Sequence, residues 1–159
     1  MKTEIVRPAA LPRRDFLKMA GAGTGAALLT LVPMKAEATP ESVAQAINKL
    51  IGDKTPKEER VALVMAEIAE TGGTVPLGIT VDAPMAADDY IKAVHVFADG
   101  NPLPDVASYY FSPKSGKVAI SLRVRLAKSQ AVVAVAETSK GETYIGRSKI
   151  KVTIGGCGG

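Results

Sequence analysis

Runs of alternating apolar and polar residues, turn signals between them, and one short helical stripe predict an all-β sandwich. It should have six to seven strands and a short N-terminal helix. The alternation is plain in Val75, Leu77, Ile79 and Val81, and again in Val118, Ile120, Leu122, Val124 and Leu126. Asp99-Gly100-Asn101-Pro102, Ser115-Gly116 and Ser139-Lys140-Gly141 supply turns. Short strands separated in this way suggest an immunoglobulin-like architecture.

Residues 1–38 read as an export address. Arg13-Arg14-Asp15-Phe16-Leu17-Lys18 precedes Met19–Val32, a stretch of 14 residues without a charge. As a helix that stretch spans only about 21 Å, short of a ~30 Å hydrocarbon core. Ala36-Glu37-Ala38 places small residues at cleavage-type positions, so the mature chain is expected to begin near Thr39. The pattern resembles twin-arginine export signals, with Pro12 where Ser or Thr is commoner. Its structural alternative is an uncleaved N-terminal helix.

Residues 39–154 should form the folded domain. Thr39 can cap a helix, Pro40 suits its first position, and Val43, Ala46, Ile47, Leu50 and Ile51 recur at helical spacing before Gly52. Thr55-Pro56-Lys57-Glu58 fits a capping box, yet Val61, Leu63 and Met65 alternate. Arg60–Ala66 is read as a strand, because it completes a seven-strand count. Tyr90–Ala98 and Val106–Ser112 are further strands, and Ala131–Ala136, apolar on both faces, belongs at the centre. Tyr144–Ile154 is the last strand, with Ser148, Ile150, Val152 and Ile154 on one face and Arg147, Lys149, Lys151 and Thr153 on the other.

Composition narrows the function. The chain has 159 residues and a net charge of +4, but residues 1–38 hold six Lys/Arg against three Asp/Glu. The remainder is near neutral at fourteen against thirteen, which argues against nucleic acid or an anionic membrane as the main partner. One Cys and one His exclude a Cys/His zinc site and an internal disulfide. His95 has no second His or Cys to share a metal, so a packed or partner-contacting histidine is expected. Asp88-Asp89 fits a solvated turn, and no Ser/His/Asp constellation or phosphate loop is legible. Neither a metal nor a cofactor is expected, and the chain offers no evident general base.

The chain ends Gly155-Gly156-Cys157-Gly158-Gly159. Four glycines remove every side chain that could pack the thiol, and their backbone entropy favours a flexible arm over residues 155–159. With Ile154 as the last anchored residue, three extended residues carry the sulfur roughly 10 Å from the sheet. An exposed thiol exchanges and accepts sulfur, whereas a buried one is inert. Arg147, Lys149 and Lys151 could support a thiolate or an anionic adduct; the alternative is that they protect a strand edge from unwanted pairing.

The export signal, the β-rich domain and the Gly-Gly-Cys-Gly-Gly end together resemble the SoxY family, sulfur-oxidation carriers of thiosulfate-oxidising bacteria. So do Glu67-Ile68-Ala69-Glu70 before a Gly pair and His95-Val96-Phe97-Ala98-Asp99-Gly100-Asn101-Pro102. The resemblance implies a non-catalytic periplasmic carrier paired with SoxZ, with Cys157 holding thiosulfate-derived sulfur covalently. It also implies the attending enzymes: the cytochrome SoxAX, the hydrolase SoxB and the sulfur dehydrogenase SoxCD. Two rival readings are a thiocarboxylate sulfur carrier activated at Gly159 and a structural or adhesion subunit whose sandwich only binds a partner.

Overall fold

The computed structural model of the chain describes residues 37–52 and 54–156. Helix α1, Pro40–Ile51, begins where the Thr39 hydroxyl accepts the Ser42 N–H at 3.2 Å and Ser42 Oγ accepts the Thr39 N–H at 2.8 Å. Pro40 stands where a missing N–H leaves no bond unmade. Gly52, at φ 67°, ends the helix by donating to the Asn48 carbonyl at 2.8 Å. Val43, Ile47 and Ile51 bury the apolar stripe against Phe97, Val133, Val135 and Ile145.

The strands among the described residues are β1 Val61–Val64, β2 Ile68–Thr71, β3 Val75–Val81, β4 Ile91–Ala98, β5 Asp105–Tyr110, β6 Val118–Val124, β7 Gln130–Thr138 and β8 Thr143–Ile154. They form a three-stranded sheet, β1-β3-β6, and a five-stranded sheet, β2-β8-β7-β4-β5. The core lies between the sheets. Val75, Leu77 and Ile79 of β3 and Val118, Ile120 and Val124 of β6 meet Val94 and Val96 of β4, Val132 and Ala134 of β7, and Ile150 and Val152 of β8. Because successive strand residues face opposite ways, Phe97, Val133, Val135 and Ile145 fall on the outer face of the larger sheet, beneath α1. This explains why β4 and β7 are apolar on both faces.

The segment leading to β2 divides its pairing between the two sheets. Lys57 first bridges β8: its N–H donates to the Thr143 carbonyl and its carbonyl accepts the Ile145 N–H, both at 2.9 Å. The Lys57 ammonium and the Tyr144 hydroxyl share the Glu142 carboxylate at 3.0 and 2.8 Å. Arg60 then turns the chain with φ 62°, its guanidinium 4.9 Å from the Tyr144 ring centre. Next, β1 pairs with β3 antiparallel over Val61↔Val81 to Val64↔Gly78. Gly146 of β8 makes room for this crossing, since a Cβ there would stand 2.4 Å from the Val61 carbonyl oxygen. Afterwards β2 returns to β8 as a parallel neighbour, with Ile68 opposite Lys151 and Thr71 opposite Ile154.

The sandwich and its helix match the predicted class, but among the described residues eight strands are present where six to seven were expected. The addition is β2, Ile-Ala-Glu-Thr, in which only Ala69 packs on the core. Its pairing is a backbone affair with β8, so no apolar alternation marks it. The ambiguous stretch 60–66 holds a strand, shortened to Val61–Val64. Residues 1–36, most of the expected export segment, lie outside the described residues. Glu37 and Ala38 from that segment do touch the body: Glu37 pairs with Lys128 at 2.5 Å, and the buried Ala38 donates its N–H to the Asn101 carbonyl at 2.7 Å.

Ile79 has no exposed surface and Val64 is 68% exposed, although they occupy paired strands of one sheet. Ile79→Ala should therefore cost about 2–5 kcal/mol in urea unfolding. Val64→Ala should stay within about 0.5 kcal/mol of the wild type.

Candidate functional site

Strand β8 delivers the C-terminal glycines to one end of the sandwich, where three backbone hydrogen bonds interlock them with the body. The Gly72 N–H donates to the Ile154 carbonyl at 2.7 Å, and the Leu126 N–H donates to the Gly72 carbonyl at 2.8 Å. The Gly156 N–H then donates to the Leu126 carbonyl at 2.9 Å. Leu126 itself is fully buried. The fit leaves no space for side chains: a Cβ on Gly155 would stand 2.1 Å from the Ala127 carbonyl oxygen, and one on Gly156 would stand 2.2 Å from that of Gly72. Real Cβ atoms do not approach carbonyl oxygens so closely.

This corrects one expectation. The last anchored residue is Gly156 rather than Ile154, and Gly155 and Gly156 are needed for close backbone approach as well as for freedom. Cys157, Gly158 and Gly159 lie outside the described residues. In the chain, Cys157 directly follows the anchored Gly156.

The predicted basic row is placed elsewhere. Arg147, Lys149 and Lys151 alternate on the exposed side of β8, opposite the core face that holds Ile150 and Val152. Arg147 is ion-paired with Glu58. Lys149 lines a depression of about 440 Å³ with Pro40, Asp99 and Ser129. Lys151 stands opposite Ile68 of β2. At about 3.4 Å per residue, Lys149 lies roughly 17 Å back along the strand from Ile154, and Arg147 roughly 24 Å. The structure thus brings Gly155 and Gly156 together with Gly72, Leu126 and Ala127, but brings neither Arg147 nor Lys149 to that end. Sequence reasoning noticed the pair Gly72-Gly73 without its contact; only the chain reversal before β3 shows what it touches.

A second cluster formed by the tertiary register lies on the outer face of β4, β5 and β7. His95 is 6% exposed, its Nδ1 2.8 Å from Ser108 Oγ and its Nε2 3.5 Å from Glu137 Oε1. Lys92 pairs with the same Glu137 carboxylate at 2.6 Å, and Tyr110 meets the imidazole edge-on at 6.1 Å. A neutral ring carrying its proton on Nε2 would accept from Ser108 and point that N–H toward Glu137. Burial pushes the His95 pKa below its usual value, against the pull of the Glu137 charge. Among the described residues, no three His, Cys, Asp or Glu side chains could hold a metal ion.

A family model, sulfur oxidation protein SoxY, matches residues 47–157 and so extends through Cys157 itself. The chain belongs to the SoxY family. The structure of the sulfur carrier protein SoxY from Chlorobium limicola f thiosulfatophilum is 30% identical, with a TM-score of 0.61, over 72% of this chain and 98% of that one. A superoxide reductase (neelaredoxin) from Ignicoccus hospitalis shares the fold at 18% identity, with a TM-score of 0.54, over 72% of this chain and 94% of that one. A putative superoxide reductase from Thermotoga maritima does so at 22% identity, with a TM-score of 0.50, over 59% and 87% of the two chains. At those identities the likeness concerns the fold alone. No curated protein matches the chain. Membership in the SoxY family makes this a sulfur-carrier domain, the coarse role that its single thiol already suggested.

The lowered His95 pKa has a definite sign. The unfolded chain takes up the proton more readily, so stability is complete above an unfolded pKa of about 6.5 and declines as pH falls below it. The urea midpoint should therefore drop between about pH 7.5 and pH 5.5, and His95→Gln should flatten that dependence. Equal slopes in both proteins would remove His95 as the cause.

Proposed function

We propose that the chain is a periplasmic carrier that holds thiosulfate-derived sulfur covalently on Cys157 and presents it to separate enzymes. The observation that carries this reading is the position of the sole thiol, one residue past a backbone-anchored Gly156, within the region matched by the family model. Glycines on both sides leave no side chain to block an approaching active site. A multistep oxidation needs its intermediate kept from diffusing away, and a covalent bond to one sulfur does that while the carrier moves between catalysts.

The chemistry balances as follows. Coupling the Cys157 thiol to the outer sulfur of thiosulfate forms an S–S bond and releases one proton and two electrons, which a cytochrome of the SoxAX kind accepts. Water then cleaves the terminal sulfonate as sulfate, as a SoxB hydrolase would do, leaving a persulfide on Cys157. Oxidation of that outer sulfur to a sulfonate takes three oxygens from water, releases seven protons and sends six electrons to a dehydrogenase of the SoxCD kind. A second hydrolysis releases sulfate again and restores the thiol. An ordinary thiol, with pKa about 8.5, is mostly protonated at neutral pH, so activation falls to the partner enzymes. The carrier supplies presentation rather than catalysis.

The partner subunit in this reading is SoxZ. Residues 1–38 serve as a twin-arginine address removed after export, a route suited to a pair that folds before crossing. Among the described residues no helix is long and apolar enough to cross a membrane. Arg147 and Lys149, set back from the arm, act on an incoming anion or partner rather than on the thiol directly, while Lys151 lies only about 10 Å along the strand from Ile154.

Intact-mass spectrometry of the protein from thiosulfate-grown cells should find sulfur-containing increments on the wild type that a reductant removes. Cys157→Ser should show none while keeping its fold; a thiosulfate-sized increment on that variant would place the attachment elsewhere. Separately, changing Arg13 and Arg14 to lysine should abolish periplasmic accumulation, and undiminished periplasmic protein would refute the export route.

A further inference from the structure

We propose that Gly72, far from the tail in sequence, is a positioning residue for the carrier thiol: it closes a backbone slot that docks the root of the arm. The proposal rests on the reading of Cys157 as the carrier.

The two glycines of Gly72-Gly73 differ sharply. A Cβ on Gly72 would stand 2.0 Å from the Leu126 carbonyl oxygen and 2.9 Å from the Gly156 nitrogen, whereas one on Gly73 would meet nothing nearer than Thr71 Oγ1 at 3.5 Å. Neither has a left-handed φ, so backbone torsion does not explain the need for glycine at 72. Proximity does. Gly72 donates to Ile154 and accepts from Leu126, and Leu126 in turn accepts from Gly156. The arm root is therefore held through Gly72 on one side and through Leu126–Ala127 on the other.

Docking gives the arm a defined starting point. At Gly156 the chain stands at the end of the sandwich formed by residues 72–73 and 126–127, and release back to Ile154 would lengthen the tether by about 7 Å. An enzyme that binds the docked form has two fewer glycines to order when it takes the thiol. Docking is thus the loading-competent state, and Gly72 sets its population.

Three proteins decide the matter, each purified with any partner retained: wild type, Gly72→Ala and Gly73→Ala. The readouts are amide hydrogen exchange at Gly156, alkylation of Cys157 by iodoacetamide, and thiosulfate loading by the SoxAX cytochrome. Gly72→Ala should raise exchange at Gly156 to about nine-tenths of the unprotected glycine rate, leaving the root docked in about a tenth of molecules, while exchange at Val94 and Val135 stays unchanged. A tenfold fall in the docked fraction raises the KM for the carrier about tenfold at unchanged kcat. Alkylation should be no slower, and Gly73→Ala should match the wild type throughout. If Gly72→Ala does not accumulate folded, Gly156→Ala, whose methyl meets the Gly72 carbonyl oxygen at 2.2 Å, tests the same slot. An unprotected Gly156 amide in the wild type, or a KM unmoved by the slot-filling variant, overturns the proposal. Absence of any cargo on wild-type Cys157 would instead sink the carrier reading, while the exchange rates would still decide whether the root is docked.

Discussion

Strand β8 is constrained on every side, and the rest of the molecule is arranged around that constraint. β7 pairs with it antiparallel along one edge, and Lys57 and then β2 pair with it parallel along the other. Ile150 and Val152 lie in the core between the sheets, and Ile145 lies beneath α1. A strand bonded on both edges and buried on parts of both faces cannot slip in register without exposing apolar residues. The chain therefore leaves the sandwich at a fixed place, with a thiol one residue past the last anchored backbone.

The division of pairing between Lys57 and β2 follows from what happens in the middle of that edge. Gly146 has no side chain, so β1 can cross over β8 to join the smaller sheet. Arg60 takes the unusual backbone angle that the crossing requires, and its cation lies over the Tyr144 ring. The outcome covers an edge that would otherwise be open to pairing with another chain. It also brings the Gly72-Gly73 turn beside Ile154, and the arm root is built there.

A carrier of this kind separates two demands that conflict in an enzyme. The sandwich supplies rigidity, with apolar residues from both sheets packed between them, while the thiol needs only access. In the proposed role, a thiol that follows a strand end in the chain keeps its reactivity apart from the core. The His95–Ser108–Glu137 cluster, although it has the residue types of a catalytic triad, sits on the far outer face of the sheet and is occupied in satisfying one buried imidazole. In that cluster the polar groups partner one another.

Much of this was legible in the linear chain, because period-two alternation in β3 and β6, the two-faced apolarity of β7, and the capped stripe of α1 are local signals imposed by burial. The thiol flanked by glycines was equally legible, since its meaning comes from what is missing around it. The strand β2 was not: Ile68–Thr71 has backbone partners but little apolar surface to bury. Nor was the contact of Gly72 with Leu126 and Gly156, or that of Glu137 with His95, because both depend on which distant segments the register sets side by side. Residue chemistry and periodicity alone determined the class of fold and marked a single thiol among glycines. Tertiary packing decided where the arm is anchored and which glycines it needs, because close backbone approach is a property of two chain segments together and is written in neither one.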